Sequence, residues 1–277
     1  MRLSFITATY NGLDYTRAFL DSFAATVPPG NWEYILVDDG SRDGTRDFLA
    51  TLQPPFKVML NESNGGFAYS NNRGAAAATG DTLVFLNNDL ILSPGWLEPM
   101  LEAFQRFEQL GAVGNIQLNA RSGLVDHAGI FFDLTGRPAH ARKNRRRRPQ
   151  EEYTFWNAVT AACFAMPRPL FQQLGGFDEG FVNGSEDVDL CVRIRQASHS
   201  IVVANQSIIR HHVSVSPGRH DKNAQNTARL LSKWQPVMAE WGKREWPREY
   251  LARYARQWWR FNFSKFCKAL WLLPRSR

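Results

Sequence analysis

Carboxylates gather in three short stretches of this 277-residue chain. Asp38 and Asp39 end "EYILVDDG" (33–40), Asp89 ends "LVFLNND" (83–89), and Glu186, Asp187 and Asp189 crowd into "GSEDVD" (184–189). One acid of an Asp-Asp pair ordinarily serves as a turn former. The second, Asp39, points elsewhere and can accept an N–H from a ligand such as a uracil or thymine ring. Asn87, Asn88 and Asp89 offer two amides and a carboxylate, which beside a diphosphate suit a hard divalent cation, Mg2+ or Mn2+. In the third stretch Ser185 is placed to cap a helix, and acids in a first turn favour its dipole. Three acids exceed that need. Crowding makes one of them a better proton acceptor, so Asp187 or Glu186 is the candidate general base and Asp189 is expected to face the protein. His211 and His212 end a late strand-like run. Neighbours on a strand point to opposite faces, so at most one of them enters a site, where it can complete the coordination of a metal held by Asp89.

The elements that must position these groups alternate. "LSFITATY" (3–10), "EYILVDDG" (33–40), "FKVMLN" (56–61) and "DTLVFLNND" (81–89) read as strands. Between them, "DYTRAFLDSFAAT" (14–26), "SRDGTRDFLATL" (41–52) and "FAYSNNRGAAAAT" (67–79) read as helices, the second opened by a Ser cap. Strands alternating with helices over short connections imply a parallel sheet covered by helices. Ligands of such a sheet bind beyond the carboxyl ends of its strands. Tyr10-Asn11, Asp38-Asp39, Asn64-Gly65-Gly66 and Asn87-Asn88-Asp89 all fall at that edge, and the two glycines permit close backbone approach to a ligand. Further on, "GAVGNIQL" (111–118) and "FWNAVTAACFAMP" (155–167) read as buried strands, 186–197 as a helix, 201–212 as a late strand, and the chain beyond Pro217 as helical and basic.

Bulk properties exclude several classes. With 44% hydrophobic and 13% aromatic residues the chain can bury a full core. Cys163, Cys191 and Cys267 are few, odd in number and far apart, which suits a reducing compartment better than a disulfide framework. The start lacks an apolar run long enough for a signal peptide, and no stretch has the length to span a bilayer. The expected location is therefore the cytoplasm, or the cytoplasmic membrane approached from its cytosolic side. There is neither a G-x-S-x-G elbow nor a phosphate-binding G-x-x-x-x-G-K-[ST] loop.

Taken in order, "TATYNG" (7–12), "LVDDGSRDGT" (36–45), "NGGFAYSNNRGAAAATGD" (64–81), "FLNND" (85–89), "GGFDEGF" (175–181), "SEDVDLCVRIR" (185–195) and "HH" (211–212) resemble the inverting glycosyltransferases of family 2. The likeness covers roughly residues 1–216. It is greatest to bacterial members that transfer rhamnose or galactofuranose to surface polysaccharides. The resemblance implies a GT-A, Rossmann-like and mostly parallel α/β sheet with flanking helices, here over 1–217, followed by a basic helical extension over 218–277. It implies a nucleoside-diphosphate sugar donor and a glycan or lipid-linked glycan acceptor, as in O-antigen synthesis. Ala8, Tyr10 and Asp39 would hold the base and ribose, and Asn64, Gly66 and Asn72 would border the nucleotide. Asn88 and Asp89 match the family's metal motif, with Asp89 as ligand to Mg2+ or Mn2+; His211 or His212 matches a further ligand and Asp187 the base. Asparagine replaces one or two of the usual acids of that motif.

The net charge of +7 is concentrated in "ARKNRRRRP" (141–149) and in the tail from Lys243 to Arg277. The arginine run suits either a solvated loop or a lipid-diphosphate acceptor. In the tail, Tyr250, Leu251, Tyr254, Trp258, Phe261, Phe266 and Leu270 recur near helical spacing, interleaved with Arg253, Arg256, Arg260, Lys265 and Lys268. Such helices lie in membrane interfaces, so the tail is expected at the cytosolic membrane face rather than packed on the protein. No nucleic-acid reader is recognisable, and nothing in the sequence sets the oligomeric state. Two alternatives remain: a sugar nucleotidyltransferase, which lacks its N-terminal lysine here, and a non-catalytic membrane- or glycan-binding module, which would have lost the acids at 89 and 187.

Overall fold

A computed structural model of the chain describes residues 1–212, 222–254 and 261–273. Strands β1 (Leu3–Thr9), β2 (Trp32–Asp38), β3 (Phe56–Leu60) and β4 (Thr82–Leu86) are parallel and lie in the order β4-β1-β2-β3. Helices α1 (Leu13–Thr26), α2 (Thr45–Leu49) and α3 (Gly66–Ala76) connect them. The chain continues through β5 (Leu90–Ile91), α4 (Glu98–Arg106), β6 (Leu110–Asn119), β7 (Val125–His127), β8 (Ile130–Phe132), β9 (Pro138–His140), β10 (Tyr153–Phe155), β11 (Cys163–Pro167), α5 (Arg168–Gln173), α6 (Glu186–Gln196) and β12 (Ser200–His211). It closes with α7 (Asn223–Tyr254) and α8 (Phe263–Leu272). The main sheet runs β10-β12-β6-β11-β4-β1-β2-β3. β11 enters antiparallel between β4 and β6, while β6 and β12 are parallel to each other.

Burial on both faces explains why the central strands are apolar throughout rather than alternating. Along β1, β2 and β4, Phe5, Leu36 and Val84 pack in the cluster that includes Phe19 and Phe23 of α1 and Met100 of α4. Ile6, Val37 and Phe85 face the opposite cluster, with Ala68 and Ala75 of α3 and Leu190 and Ile194 of α6. Each such side chain, fully withdrawn from water, contributes about 1.5–3 kcal/mol.

Three expected elements differ. The helix foreseen over 41–52 forms only over Thr45–Leu49. Before it, the Asp38 carboxylate accepts the N–H groups of Gly40 and Ser41, and the Ser41 hydroxyl accepts the N–H of Asn11 instead of capping the helix. The strand foreseen over 81–89 stops at Leu86, after which the Asn87 N–H bonds Ala162 O and the chain turns. The stretch 155–167 is two short strands, β10 and β11, separated by a loop.

The boundary expected at 217 lies outside the described residues, as do Arg256, Trp258 and Arg260 of the tail. Beyond it, α7 packs directly on the first part of the chain. Leu230 and Met238 are fully buried in the α6-side core. At Gly242 a Cβ would stand 2.1 Å from Asp133 O, so only glycine lets α7 cross the end of β8 this closely. One turn later, Glu245 accepts the Phe132 N–H at 2.8 Å and the Asn157 amide at 2.7 Å. Burial pushes the Glu245 carboxyl up to about 7, against the opposing pull of those two donors.

A raised carboxyl pKa gives stability that is fully present below the unfolded value of 4.5 and is lost as pH rises through about 7. Urea unfolding from pH 5 to pH 9 should therefore show a falling midpoint. Glu245→Gln, which mimics the protonated acid, should flatten that decline; an unchanged slope would contradict the assignment.

Candidate active site

The carboxyl ends of β1, β2 and β4 open into one cleft, closed on its far side by the loop before β11 and the start of α6. Ala8, Tyr10, Asp39, Asn64, Asn88, Asp89, Glu186 and Asp187 all line it. These residues come from segments up to 179 positions apart (187 − 8), and each is positioned by its own strand end or helix start.

The two aspartates after β2 divide as expected. Asp38 is fully buried and binds the turn N–H groups and Arg46 Nε, the last at 2.6 Å. Asp39 faces the cleft. Its Oδ1 accepts Asn61 Nδ2 at 2.7 Å and the Gly65 N–H at 2.8 Å, and its Oδ2 accepts the Gly66 N–H at 2.8 Å. Oδ2, with one such donor, retains acceptor capacity. The same bonds hold Gly66 at φ +88°, a left-handed conformation that suits glycine and starts α3 beside the cleft.

Asn88 donates to Thr16 Oγ1 at 2.9 Å, anchoring the loop after β4 to α1. Asp89 is buried, and the two-residue β5 behind it pairs antiparallel with the end of β12, His211 opposite Leu90. That pairing sets His211 Nε2 3.2 Å from Asp89 Oδ1. His211 Nδ1 lies 3.1 Å from Gln117 Oε1, and Gln117 Nε2 donates to Asn115 Oδ1 at 3.4 Å, which orients the Gln117 amide. The network thus assigns the ring proton to Nδ1 and leaves the Nε2 lone pair beside the carboxylate. Among the described residues His211 Nε2 is buried without a hydrogen bond. A carboxylate and a bare imidazole nitrogen 3.2 Å apart fit two ligands of Mg2+ or Mn2+. Among the described residues no cluster of three or more His, Cys, Asp or Glu is arranged to hold a metal by protein groups alone.

His212 is not brought into this pair. Its ring packs edge-on against Tyr15 with centroids 5.0 Å apart, and its backbone N–H donates to Asp89 O at 3.0 Å. Strand alternation sends the two histidines to opposite faces, and the β5 pairing selects His211.

At the start of α6, Asp187 Oδ2 accepts the Ala161 N–H at 3.2 Å and its Oδ1 accepts the Val188 N–H at 2.8 Å. Glu186 is buried and accepts the Gly184 N–H at 2.6 Å. Ser185 stands at the N-cap position but does not cap with its side chain, because its φ of +76° turns the hydroxyl away from the first turn. Asp189 faces the protein, fully buried between Arg193, Lys233 and Trp234 Nε1, the last at 2.7 Å.

Asn72 does not reach the cleft. Its amide donates to Phe177 O and to Glu179 Oε1, both at 2.9 Å, and accepts the Phe177 N–H at 2.9 Å, so it clamps α3 to the 175–181 loop. Sequence reasoning missed Thr160, Ala161, Ala162, Phe67 and Asn183, which also line the cleft. Asn183, at φ +52°, accepts the Phe67 N–H at 3.0 Å and so ties the loop before α6 to α3. Its one visible signal is the Asn-Gly step just ahead of the acidic run.

Asp39, Asp89, Glu186 and Asp187 thus share one cleft, and among its described lining residues there is no lysine, arginine or histidine.

Residues 4–175 match the model of glycosyl transferase family 2. The chain belongs to that family. The family 2 match ends before α6 and β12, so Asp187 and His211 lie beyond it. Over 225 residues the chain is 33% identical to the O-antigen biosynthesis protein RfbC of Myxococcus xanthus, covering 78% of this chain but 18% of that protein's length. It is 26% identical over 243 residues to an N-acetylglucosaminyl-diphospho-decaprenol L-rhamnosyltransferase of Mycobacterium tuberculosis, covering 78% of each chain. Its fold is shared with a crystal structure of GalNAc-T7 with UDP, GalNAc and Mn2+, at a TM-score of 0.68 and 17% identity over 88% of this chain and 50% of that one. The architecture is therefore GT-A-like, a mixed α/β sheet with flanking helices.

Asn72→Ala should cost about 1–2 kcal/mol, because it strands the Phe177 N–H and carbonyl. Denaturant titration measures this, and a midpoint within error of the parent would contradict the clamp.

Proposed function

We propose that the chain is an inverting glycosyltransferase, moving a sugar from a nucleoside-diphosphate sugar to a hydroxyl of a glycan or lipid-linked glycan in bacterial surface polysaccharide synthesis. Four carboxylates around one cleft, beside the Asp89–His211 pair, are the observation that carries it. A rhamnosyl donor is the first candidate, given the relative named as an L-rhamnosyltransferase.

In this proposal Ala8, Tyr10 and Asp39 hold the base and ribose, Asp39 through the remaining capacity of Oδ2. Asn64, Gly66 and Asn88 border the nucleotide, and Asn72 acts at one remove by fixing the 175–181 loop. Asp89 and His211 hold a divalent ion, Mg2+ or Mn2+, which would stabilise the charge of the departing diphosphate. Asp187 takes the proton of the acceptor hydroxyl as that oxygen attacks the anomeric carbon from the face opposite the diphosphate. One displacement with one base inverts the centre, by the same geometric logic as inverting glycoside hydrolysis. The Ala161 N–H fixes the carboxylate's direction, and Glu186 holds the preceding loop through Gly184. The proposed location is the cytosolic face of the cytoplasmic membrane. Among the described residues no helix is long and apolar enough to cross a membrane.

The test is a panel of nucleotide sugars with Mn2+, scored by slow nucleotide release and then by transfer. Asp187→Asn should lower transfer by roughly 10²–10⁴-fold while leaving donor binding near the parent value. Full transfer by that variant would remove Asp187 as base, and no release from any donor would overturn the transferase reading itself.

A further inference from the structure

Arg142 and the four arginines at 145–148 line a groove whose opposite wall is β12 around Asn205 and Ile208. Glu151 is the one acid among its described lining residues. A solvated loop would account for exposed arginines but not for how firmly this one is held. The Val125 N–H donates to Arg145 O at 2.9 Å, the Asn144 N–H to Val125 O at 2.7 Å, and the Ala141 N–H to Gly129 O at 2.9 Å. Arg145 pairs with Glu249 of α7 at 3.4 Å, both side chains largely buried. Arg146, Arg147 and Arg148 are exposed and enter no ion pair among the described residues. Guanidinium groups gathered along one groove in excess of its acids match phosphate oxygens.

A second surface is anchored to the same turn of α7. Tyr250, next to Glu249, donates to Asn262 O at 3.3 Å and so seats the start of α8. Ala269 and Leu272 are the buried residues of α8. Phe263, Cys267, Leu270 and Trp271 recur at i, i+4, i+7 and i+8 and are all exposed, Phe263 by 71% and Trp271 by 59%. Lys265 and Lys268 stand exposed alongside them. Adjacent residues of α7 therefore hold both the arginine loop, through Glu249, and the apolar, basic-flanked α8, through Tyr250.

The arginine loop is also linked to His211 through the sheet. It hangs on β7, whose His127 pairs with Gln117, the partner of His211. Along β12, Ile208 in the groove wall is three residues from His211, roughly 10 Å.

We infer that the arginine groove is the binding site for the diphosphate of a lipid-linked acceptor, with the α8 stripe resting on the bilayer that holds its tail. A polyprenyl-type diphosphate carries both chemistries, phosphate charge and an apolar chain, and neither surface alone selects it. The inference rests on the transferase reading above for the acceptor's role, but the groove can be tested without turnover.

Flotation should be measured with phosphatidylcholine vesicles, plain, doped with a polyprenyl diphosphate, or doped with phosphatidylglycerol to equal surface charge. The parent should bind the diphosphate vesicles most tightly. Exchanging Arg146, Arg147 and Arg148 together for alanine should weaken that binding by roughly 100-fold and weaken binding to phosphatidylglycerol vesicles far less. Phe263→Ser with Trp271→Ser should weaken binding to all vesicles alike. Equal losses on both charged vesicles from the arginine exchange would reduce the groove to a generic anionic contact and overturn the inference, as would no loss at all. Unchanged binding by the α8 variant would remove the bilayer contact. Mn2+-supported nucleotide release should be the same in the parent and the arginine variant, so a failure of the donor chemistry is distinguished from a failure of the groove.

Discussion

Repulsion among Asp39, Asp89, Glu186 and Asp187 is the constraint around which the cleft is built. Like charges brought together in a partly buried cleft repel one another. The protein meets this cost with neutral donors. Asp39 is held by three N–H groups, Asp187 by the Ala161 and Val188 N–H groups, and Glu186 by the Gly184 N–H. Asp89 is set against an imidazole whose orientation runs back through Gln117 to Asn115, both fully buried on β6. Neutral donors thus contribute to holding Asp39, Asp187 and Glu186 in place.

The same economy extends to the outer helices. Asp189, one turn into α6, is fully buried and shared by Arg193 from its own helix and Lys233 and Trp234 from α7. Breaking a buried pair by removing one partner typically costs 3–5 kcal/mol, so α7 constrains the rotation of the helix that presents Glu186 and Asp187. Helix α7 is accordingly part of the scaffold of the site. Glu245 and Glu249 on α7 then tie down the β8 end and the arginine loop in turn.

Much of this was legible in the residue order. Apolar runs ending in Asn or Asp located the four parallel strands and the edge where the acids meet, because strand period and connection length leave few other arrangements. What was hidden depends on contacts between distant segments. Ser41 and Ser185 look like helix caps, but Asn11 claims the first and a left-handed backbone turns the second aside. Asn72 sits among residues that line the cleft, yet the 175–181 loop offers its amide three partners. The choice of His211 over His212 rests on β5, a strand of two residues whose pairing no local periodicity reveals. Thr160, Ala161 and Ala162 entered the cleft because β11 runs antiparallel, which brings its start to the edge where the parallel strands end.

The central claim is that the Asp89–His211 pair and a nucleoside diphosphate hold one divalent ion together. Calorimetric titration of UDP and GDP, with and without Mn2+, tests it most directly. Linkage requires that Mn2+ raise nucleotide affinity by the same factor by which nucleotide raises Mn2+ affinity. The account predicts a mutual gain of roughly tenfold or more for the nucleotide that the site accepts, lost in His211→Ala and kept in His212→Ala. Nucleotide affinity that is indifferent to Mn2+, or a coupling that survives His211→Ala, would contradict it.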